Sequence, residues 1–476
     1  MKWSAGKKGR GLRQCGLEQS KTAKLAPSPV IPAFQRLGGS VNPESGVARA
    51  DNNATAAISA TTDVAPSFSG VLSSSIMRTL PRSLKFLPVL LLFAPLVTSS
   101  AAQKPDFQAS FDAYVKADGV VGAAFVIVDK GHISESHHIG MADLEANQPV
   151  DSNTIFHWAS ITKTLTAVAV MQLRDRGKLS LDDPIIRYVP ELARVHGENN
   201  RIAQVTLRHL LSHTAGFQSP TWPYRDDSKP WQPFEPTQWE QLVAMMPYQE
   251  LAFAPGSRFQ YSNPGFIYLA RVIEAVTGDP FQVYVQKDIL TPLGMTHTYY
   301  NTSPYHLAAH RSNNYTLRVT SDGRTQRVAN GREFDTGITT ANSGLNAPLS
   351  DLAEWVGFLS GADPLGASPA ILSRKSLEEM WQPVAAVEPD FADAPPEFMG
   401  LSFFLYPRGS GADAVTLVGH TGHQAGFAAF FVMNPKNGRA VIANFNTSHS
   451  EADRDAYGKS NLGFSALVKQ ALTLIQ

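Results

Sequence analysis

Ser160-Ile-Thr-Lys163 contains the residues whose types and spacing point most directly to chemistry. The motif opens an apolar run, which predicts a buried helix from Ser160 to about Arg176, with Gly177 after its end. Positions i and i+3 of a helix share a face, so the hydroxyl and the amine can meet. Burial removes hydration from the amine and disfavours its charged form, which makes it a credible proton acceptor for a serine nucleophile.

Two motifs follow downstream, first Tyr261-Ser-Asn263 and then His420-Thr-Gly422. A tyrosine placed just after a turn can share a proton with the lysine and relay it to a leaving group. Asn263 offers both a donor and an acceptor, which suits it to hold a substrate amide or the lysine. Each motif alone is weak, because Ser4-Ala-Gly-Lys7 also has the first spacing. Their order and surroundings carry the prediction.

Together the three motifs resemble those of the serine β-lactamase and penicillin-binding-protein superfamily, in which a serine attacks an acyl carbon. The resemblance covers about residues 105–470 and includes further landmarks: Leu207–Phe217 (similar to "LLSHTSG"), Pro255-Gly256, Pro292-Leu-Gly-Met295, Ser343-Gly-Leu345 and Asp351-Leu352. The similar branches use Tyr-x-Asn: class C β-lactamases, family VIII carboxylesterases, D-aminopeptidases and D-Ala-D-Ala carboxypeptidases. It implies a serine hydrolase that forms an acyl-enzyme on an ester, a D-amino-acid peptide or amide, or a β-lactam.

The resemblance also assigns expected roles. Ser160, Lys163 and Tyr261 are the candidate catalytic residues, and Asn263, His420, Thr421 and Gly422 are the candidate substrate-binding residues. The backbone N–H groups of Ser160, at a positive helix end, and of His423 are the expected oxyanion donors. Gly422 is expected at the end of strand Val415–Gly419, where it would let substrate approach the backbone.

One departure from the family pattern bears on the substrate. Penicillin-recognising members have a lysine at the first position of the third motif, where its charge meets the substrate carboxylate. This chain has His420, which is at most partly charged at neutral pH. Ester or peptide hydrolysis is therefore favoured over antibiotic hydrolysis.

Two other classes of function are compatible with parts of the sequence, and a metal site is a third alternative. A catalytically silent binding or scaffold protein could keep this fold, although drift would usually break one of the three motifs. An α/β-hydrolase would need Gly-x-Ser-x-Gly around its nucleophile, which Ser160 lacks. His209 and His213 have the spacing of a metal pair without the glutamate of His-Glu-x-x-His, so packing and loop-fixing roles are favoured. No metal and no cofactor are expected.

Composition bounds the partners and the compartment. The 476 residues are 43% hydrophobic and 17% charged, which is typical of a globular protein with a sizeable core. Of 41 basic and 41 acidic residues, 13 and 4 precede Pro105, so 28 basic and 37 acidic residues remain, and no nucleic-acid footprint is expected. The single cysteine, Cys15, excludes a disulfide framework and a cysteine nucleophile in the main body.

The N-terminal region resembles a secretory signal with a leader before it. Arg78, Arg82 and Lys85 precede the apolar run 86–97, and small residues follow at 100–102. We predict export to the periplasm or medium with cleavage near Ala102; an uncleaved segment would leave a membrane anchor. Residues 1–76 read as a disordered leader, and translation is predicted to begin at Met77.

The remaining residues, 103–476, predict one hydrolase domain of the α+β class. Strand-like runs occur at both ends, at 121–140 and 399–445, and helical segments lie between them. This order implies one antiparallel sheet assembled from both termini, flanked by helices and carrying an inserted, mainly helical lobe. Residues 301–340 are polar and turn-rich and are expected to form a variable excursion. The oligomeric state and the particular substrate are not predicted.

Overall fold

A computed structural model describes residues 106–196, 198–217, 236–362, 368–388 and 397–476. The predicted leader, the signal segment and Cys15 lie outside the described residues. Within the described ranges, none of the helices combines the length and the apolar composition needed to cross a membrane.

A nine-stranded antiparallel sheet forms the centre of the fold, in the order β3-β2-β1-β14-β13-β12-β11-β10-β9. The pairing of β1 with β14, with Ala123 opposite Phe445, joins the N-terminal and C-terminal parts of the chain. Two three-stranded sheets, β15-β6-β7 and β4-β8-β5, complete the described strands. The strands are β1 Gly122–Asp129, β2 His132–Asp143, β3 Gln148–Pro149, β4 Phe156–His157, β5 Tyr299–Tyr300, β6 Asn314–Val319, β7 Thr325–Gly331, β8 Leu345–Ala347, β9 Ala385–Val387, β10 Glu397–Met399, β11 Phe404–Arg408, β12 Val415–Gln424, β13 Phe427–Asn434, β14 Arg439–Phe445 and β15 Thr447–His449.

Helices cover both faces of the large sheet. The helices are α1 Phe107–Ala117, α2 Thr162–Asp175, α3 Leu207–Leu211, α4 Trp239–Met245, α5 Asn263–Thr277, α6 Phe281–Val285, α7 Thr340–Ser343, α8 Leu349–Ser360, α9 Ser368–Ile371, α10 Arg374–Met380 and α11 Arg454–Leu474. The alternation of β1 explains the two layers: Phe125 packs with α1 and α11, while Val126 packs in the larger core with α2, α5 and α8. The predicted α+β class, with a sheet from both termini and a helical lobe, is confirmed.

Several predicted boundaries were wrong in ways that matter for the site. Ser160 lies in a 3₁₀ turn, Ala159–Ile161, and α2 begins only at Thr162. A 3₁₀ turn also superposes positions i and i+3, so the expected approach of Ser160 and Lys163 survives. Strand β12 continues to Gln424, because β13 pairs with it along its whole second half. His420-Thr-Gly422 therefore lies within a strand and not after one.

Candidate active site

The turn that carries Ser160 is fixed by backbone geometry. Ala159 has a φ of +45°, a left-handed conformation uncommon for a residue with a side chain, and it turns the chain from β4 into α2. The indole of Trp158 donates to the carbonyl of Ala347, 2.9 Å away, which ties the turn to β8. A side chain on Gly422 would collide with the carbonyl of Trp158 and would lie 3.2 Å from the backbone nitrogen of Ser160. The turn and β12 thus pack backbone against backbone.

This contact corrects the role predicted for Gly422. The expectation was that glycine leaves room for a substrate, but the described backbone of Trp158 and Ser160 occupies that room. Gly422 is needed because the Ser160 turn approaches the strand too closely for any Cβ.

The Lys163 side chain contacts the Ser160 hydroxyl. Its amine is 2.9 Å from the Ser160 hydroxyl oxygen and donates to the carbonyl of Asn342, also 2.9 Å away. The side chain is 0% exposed, and this burial holds the pKa of the amine well below its usual range. Among the described residues, no carboxylate offsets the effect of burial on this amine. Burial therefore disfavours the charged form of this amine, which lies beside a serine hydroxyl.

Residues of α7 and β8 form hydrogen bonds with α2, the helix that carries Lys163. The Thr166 hydroxyl donates to the carbonyl of Ala341, 2.6 Å away, and the Thr162 hydroxyl accepts from the N–H of Leu345. The first bond holds α2 against α7 and the second holds it against β8, on either side of Asn342, whose carbonyl accepts from the Lys163 amine.

The Tyr261 ring lies next to the Lys163 amine, and the residue precedes α5 in the chain. The centre of its ring is 4.8 Å from the Lys163 nitrogen. Burial raises the pKa of the Tyr261 phenol, and the neighbouring Ser160 hydroxyl offsets part of that rise. The next residue, Ser262, caps α5 by accepting from the N–H of Gly265, and Asn263 is the first residue of that helix. The capping bond orders the first turn of α5, on which Asn263 lies.

His420 is buried and neutral. Its Nδ1 donates to the carbonyl of Thr421, 2.5 Å away, so Nε2 carries the lone pair. Burial first, and then the charge of Lys163 were it protonated, lower the pKa of His420 to about 3. Its ring packs edge-on against Phe404 at 5.3 Å. His420 was predicted to carry at most a partial charge. With this lowered pKa its imidazole is uncharged at neutral pH.

The second half of β12 borders an open cleft. Strand β11 pairs with β12 only as far as Gly419. From His420 onward, no residue of β11 pairs with that edge of β12. A cleft of about 640 Å³ opens there. The described residues that line it are Ser160, Phe259, Tyr261, Asn263, Val387, Glu388, Glu397, Phe404, Tyr406, His420, Thr421, His423, Tyr457, Asn461, Phe464, Ser465, Val468, Lys469 and Leu472. Six of the predicted site residues thus share one cleft, with Lys163 buried beneath Ser160.

Sequence reasoning missed several contributors. Asn342 acts through a backbone carbonyl, which has no side-chain signature, although the adjacent Ser343-Gly-Leu345 landmark could have drawn attention to it. The α11 wall, from Tyr457 to Leu472, carried only the pattern of a closing helix. Packing and loop-fixing roles were predicted for His213, but its partner was not: its ring stacks on Tyr261 at 4.3 Å.

The two histidines with metal-like spacing do not form a pair. Nδ1 of His209 accepts from the N–H of Thr206, while Nδ1 of His213 accepts from the N–H of Ser262. Among the described residues, no group of three or more His, Cys, Asp or Glu side chains is arranged to hold a metal ion.

A serine hydroxyl, a buried neutral amine and a phenol at the junction of an antiparallel sheet and a helical lobe define the penicillin-binding-protein and β-lactamase class of serine hydrolase. Comparison with known proteins agrees. The family model described as Beta-lactamase matches residues 107–462, and the chain belongs to this family.

Three similar proteins illustrate the range within that family. A β-lactamase of Pseudomonas fluorescens is 23% identical over 362 residues, which span 70% of this chain and 91% of the relative. Esterase EstB of Burkholderia gladioli is 34% identical over 198 residues, covering 39% of this chain and about half (49%) of the esterase. A D-stereospecific amidohydrolase of Streptomyces is 25% identical, with a TM-score of 0.55 over 72% of this chain and 94% of the other. These names differ in substrate, so membership of the family leaves the substrate open.

Proposed function

We propose that this protein hydrolyses an ester or amide through an acyl-enzyme on Ser160. The observation that carries the proposal is the fully buried Lys163 amine, 2.9 Å from the Ser160 hydroxyl oxygen. An uncharged amine has a lone pair, which can accept the serine proton while one of its N–H groups donates to the Asn342 carbonyl. A protonated lysine could not accept, so burial is what makes the pair reactive.

The proposed reaction moves one proton and exchanges two bonds. The Ser160 oxygen bonds to the acyl carbon as its proton passes to Lys163, and the carbonyl π electrons move to the oxygen. Backbone N–H groups of Ser160 and His423 are assigned to that oxyanion, which would make them the largest single electrostatic contribution. The tetrahedral adduct collapses, the leaving group departs, and Tyr261 relays the proton to it. A water molecule then attacks the acyl-enzyme with the same groups acting in reverse.

The cleft favours substrates without a carboxylate. His420 is neutral where penicillin-recognising members place a lysine, and its free lone pair on Nε2 accepts and cannot donate. Of the described residues that line the cleft, Lys469 is the only lysine or arginine, against Glu388 and Glu397. Neutral or cationic esters and D-amino-acid amides therefore rank above β-lactams as substrates. An esterase and a D-stereospecific amidohydrolase occur among the similar proteins, as does a β-lactamase, so the ranking rests on the charges of the cleft.

Export is part of the proposal. The charged, apolar and small-residue segments from Arg78 to Ala102 match a secretory signal, and the family match begins soon after, at residue 107. N-terminal sequencing of the secreted protein should give a start near Gln103. Recovery of the full chain in the membrane fraction would contradict cleavage and favour an anchor.

A labelling experiment tests the chemistry. A fluorophosphonate probe or a fluorescent penicillin should modify the wild-type protein and the Ser465→Ala variant, whose altered serine lies in the same cleft on α11. The Ser160→Ala variant should remain unmodified and should lose turnover of p-nitrophenyl butyrate and D-amino-acid p-nitroanilides. A folded wild-type protein with no adduct and no turnover would instead support a catalytically silent binding or scaffold protein.

A further inference from the structure

Three contacts from a single residue, His213, surround Tyr261. The carbonyl of His213 accepts from the N–H of Gln260, 2.8 Å away. Its Nδ1 accepts from the N–H of Ser262 at 3.0 Å. Its ring stacks on the Tyr261 ring, with centroids 4.3 Å apart and planes 26° from parallel. The residues before and after the tyrosine, and the tyrosine ring itself, are thus all held by His213.

The backbone conformation of His213 is also unusual. It follows α3 with a φ of +56°, in the left-handed region that a residue with a side chain seldom adopts. Such conformations persist only where surrounding contacts impose them, and they cluster at functional sites. The N–H of Gly256 donates to the carbonyl of Thr214 at 2.8 Å, which adds a further tie between this loop and the segment that leads to Tyr261.

The chemistry of the ring also matters. The side chain is 1% exposed, and because Nδ1 accepts a hydrogen bond the ring proton belongs on Nε2. Burial, with Lys163 and His420 nearby, lowers the pKa of His213 well below its usual value, so the imidazole stays neutral. A neutral ring can stack on the phenol without placing a positive charge next to the Lys163 amine. The ring of Phe266 closes the same cluster, 5.1 Å from His213 and 5.7 Å from the Lys163 nitrogen.

We propose that His213 is the positioning residue for Tyr261. It holds the phenol beside Ser160 and Lys163 through one ring stack and two hydrogen bonds from the N–H groups of the flanking residues, one accepted by its carbonyl and one by its Nδ1. This inference rests on the proposed function of Tyr261 in proton transfer. His213 itself does not touch the reacting atoms in this role. It fixes the tyrosine, whose own main-chain segment is a loop ahead of α5.

Substitutions separate the contacts. The His213→Ala variant removes the ring stack and the Nδ1 acceptor. The His213→Asn variant keeps an acceptor near the position of Nδ1 and tolerates a positive φ, but it has no ring. A misplaced proton-transfer group can cost on the order of 100-fold in rate, so we expect about that loss of kcat/KM for His213→Ala. His213→Asn should recover part of it, to within about tenfold of wild type.

A double-mutant cycle with Tyr261→Phe distinguishes positioning from general stability. If His213 acts through the Tyr261 hydroxyl, adding His213→Ala to Tyr261→Phe should lower kcat/KM by less than about twofold more. The matched control is His209→Asn, in the same segment but capping α3, with an expected kcat/KM within about twofold of wild type. Thermal unfolding of each variant verifies that folded protein is compared, and His213→Asn replaces alanine in the cycle if the alanine variant does not fold.

The outcomes are distinct. Non-additive losses with partial rescue by asparagine support the inference. A folded His213→Ala variant with kcat/KM within about threefold of wild type would overturn it. So would a double variant whose loss of kcat/KM equals the product of the losses in His213→Ala and Tyr261→Phe. Turnover that persists in Ser160→Ala would instead overturn the proposed function, so the two failures cannot be confused.

Discussion

Replacing Lys163 by methionine should change how the stability of the protein depends on pH. The folded protein holds this amine uncharged because burial lowers its pKa far below 10.5, whereas the unfolded chain exposes it and binds the proton. The unfolded state therefore binds one more proton than the folded state at any pH between the folded pKa and 10.5. The free energy of unfolding must therefore rise with pH across that window, because a higher pH reduces the free energy that the unfolded chain gains by binding the extra proton.

The magnitude follows from proton linkage. One proton taken up on unfolding changes the free energy of unfolding by about 1.4 kcal/mol per pH unit. Between about pH 8 and about pH 9.5 the wild-type protein should gain about 2 kcal/mol relative to Lys163→Met. Methionine has a similar length and no charge, so the substitution removes the titration while it keeps the packing. The Asn342 carbonyl loses its donor, which costs about 1–3 kcal/mol at every pH and so does not alter the slope.

Urea unfolding of both proteins at several pH values in this range measures the effect. The difference between the two free energies removes the contribution of all other titrating groups, since these are common to both chains. The same Lys163→Met protein should lose about 10²–10⁴-fold in kcat/KM, the usual contribution of a general base. A difference in unfolding free energy that stays constant with pH, to within about 0.3 kcal/mol per unit, would mean that the amine is charged in the folded protein and would refute the reasoning.

Three further predictions concern neighbouring residues. Tyr261→Phe should lower kcat/KM by about 10²–10⁴-fold while leaving the urea midpoint within a few tenths of a molar of wild type; full activity would remove the phenol from the mechanism. Gly422→Ala should destabilise the protein by about 1–3 kcal/mol and lower kcat/KM, because its Cβ would push the Ser160 turn off β12. The control Gly458→Ala, in α11 with open space around it, should instead raise stability by about 1 kcal/mol. His420→Lys should raise the ratio of kcat/KM for nitrocefin to that for p-nitrophenyl butyrate at least about tenfold, unlike His420→Gln, and an unchanged ratio would detach this position from carboxylate selection.

Much of the fold could be predicted because local pattern and global packing agree. The bounds of α1, Phe107–Ala117, can be predicted from local signals, because its apolar spacing and the capping Asp106 are both visible in the sequence. The hairpin of β1 and β2 is likewise a local feature, because the strands alternate around Lys130-Gly131, two residues that both adopt a positive φ. The chain from 301 to 340, predicted only as a polar, turn-rich and variable excursion, contains β6 and β7. Their pairing with each other, and that of β6 with β15, is a long-range choice that polar composition conceals.

The site was only partly predictable, for reasons that also depend on distance along the chain. Spacing alone indicated that Ser160 and Lys163 meet, and the 3₁₀ turn preserved that contact. The approach of Gly422 to the Ser160 turn depends on two segments about 260 residues apart, and local sequence assigned its glycine to substrate access. The stacking of His213 on Tyr261 and the carbonyl of Asn342 on Lys163 are likewise tertiary contacts. In each case the residue type was visible, while its partner was not.

Trapping the covalent intermediate would test the central claim most directly. The wild-type protein is mixed with p-nitrophenyl butyrate, quenched in acid within the first turnovers, and mapped by peptide mass spectrometry. We predict a butyryl group on Ser160 that accumulates in the wild-type protein and fails to form in Lys163→Met. A butyryl group on any other residue, or turnover with Ser160 unmodified throughout, would contradict the account.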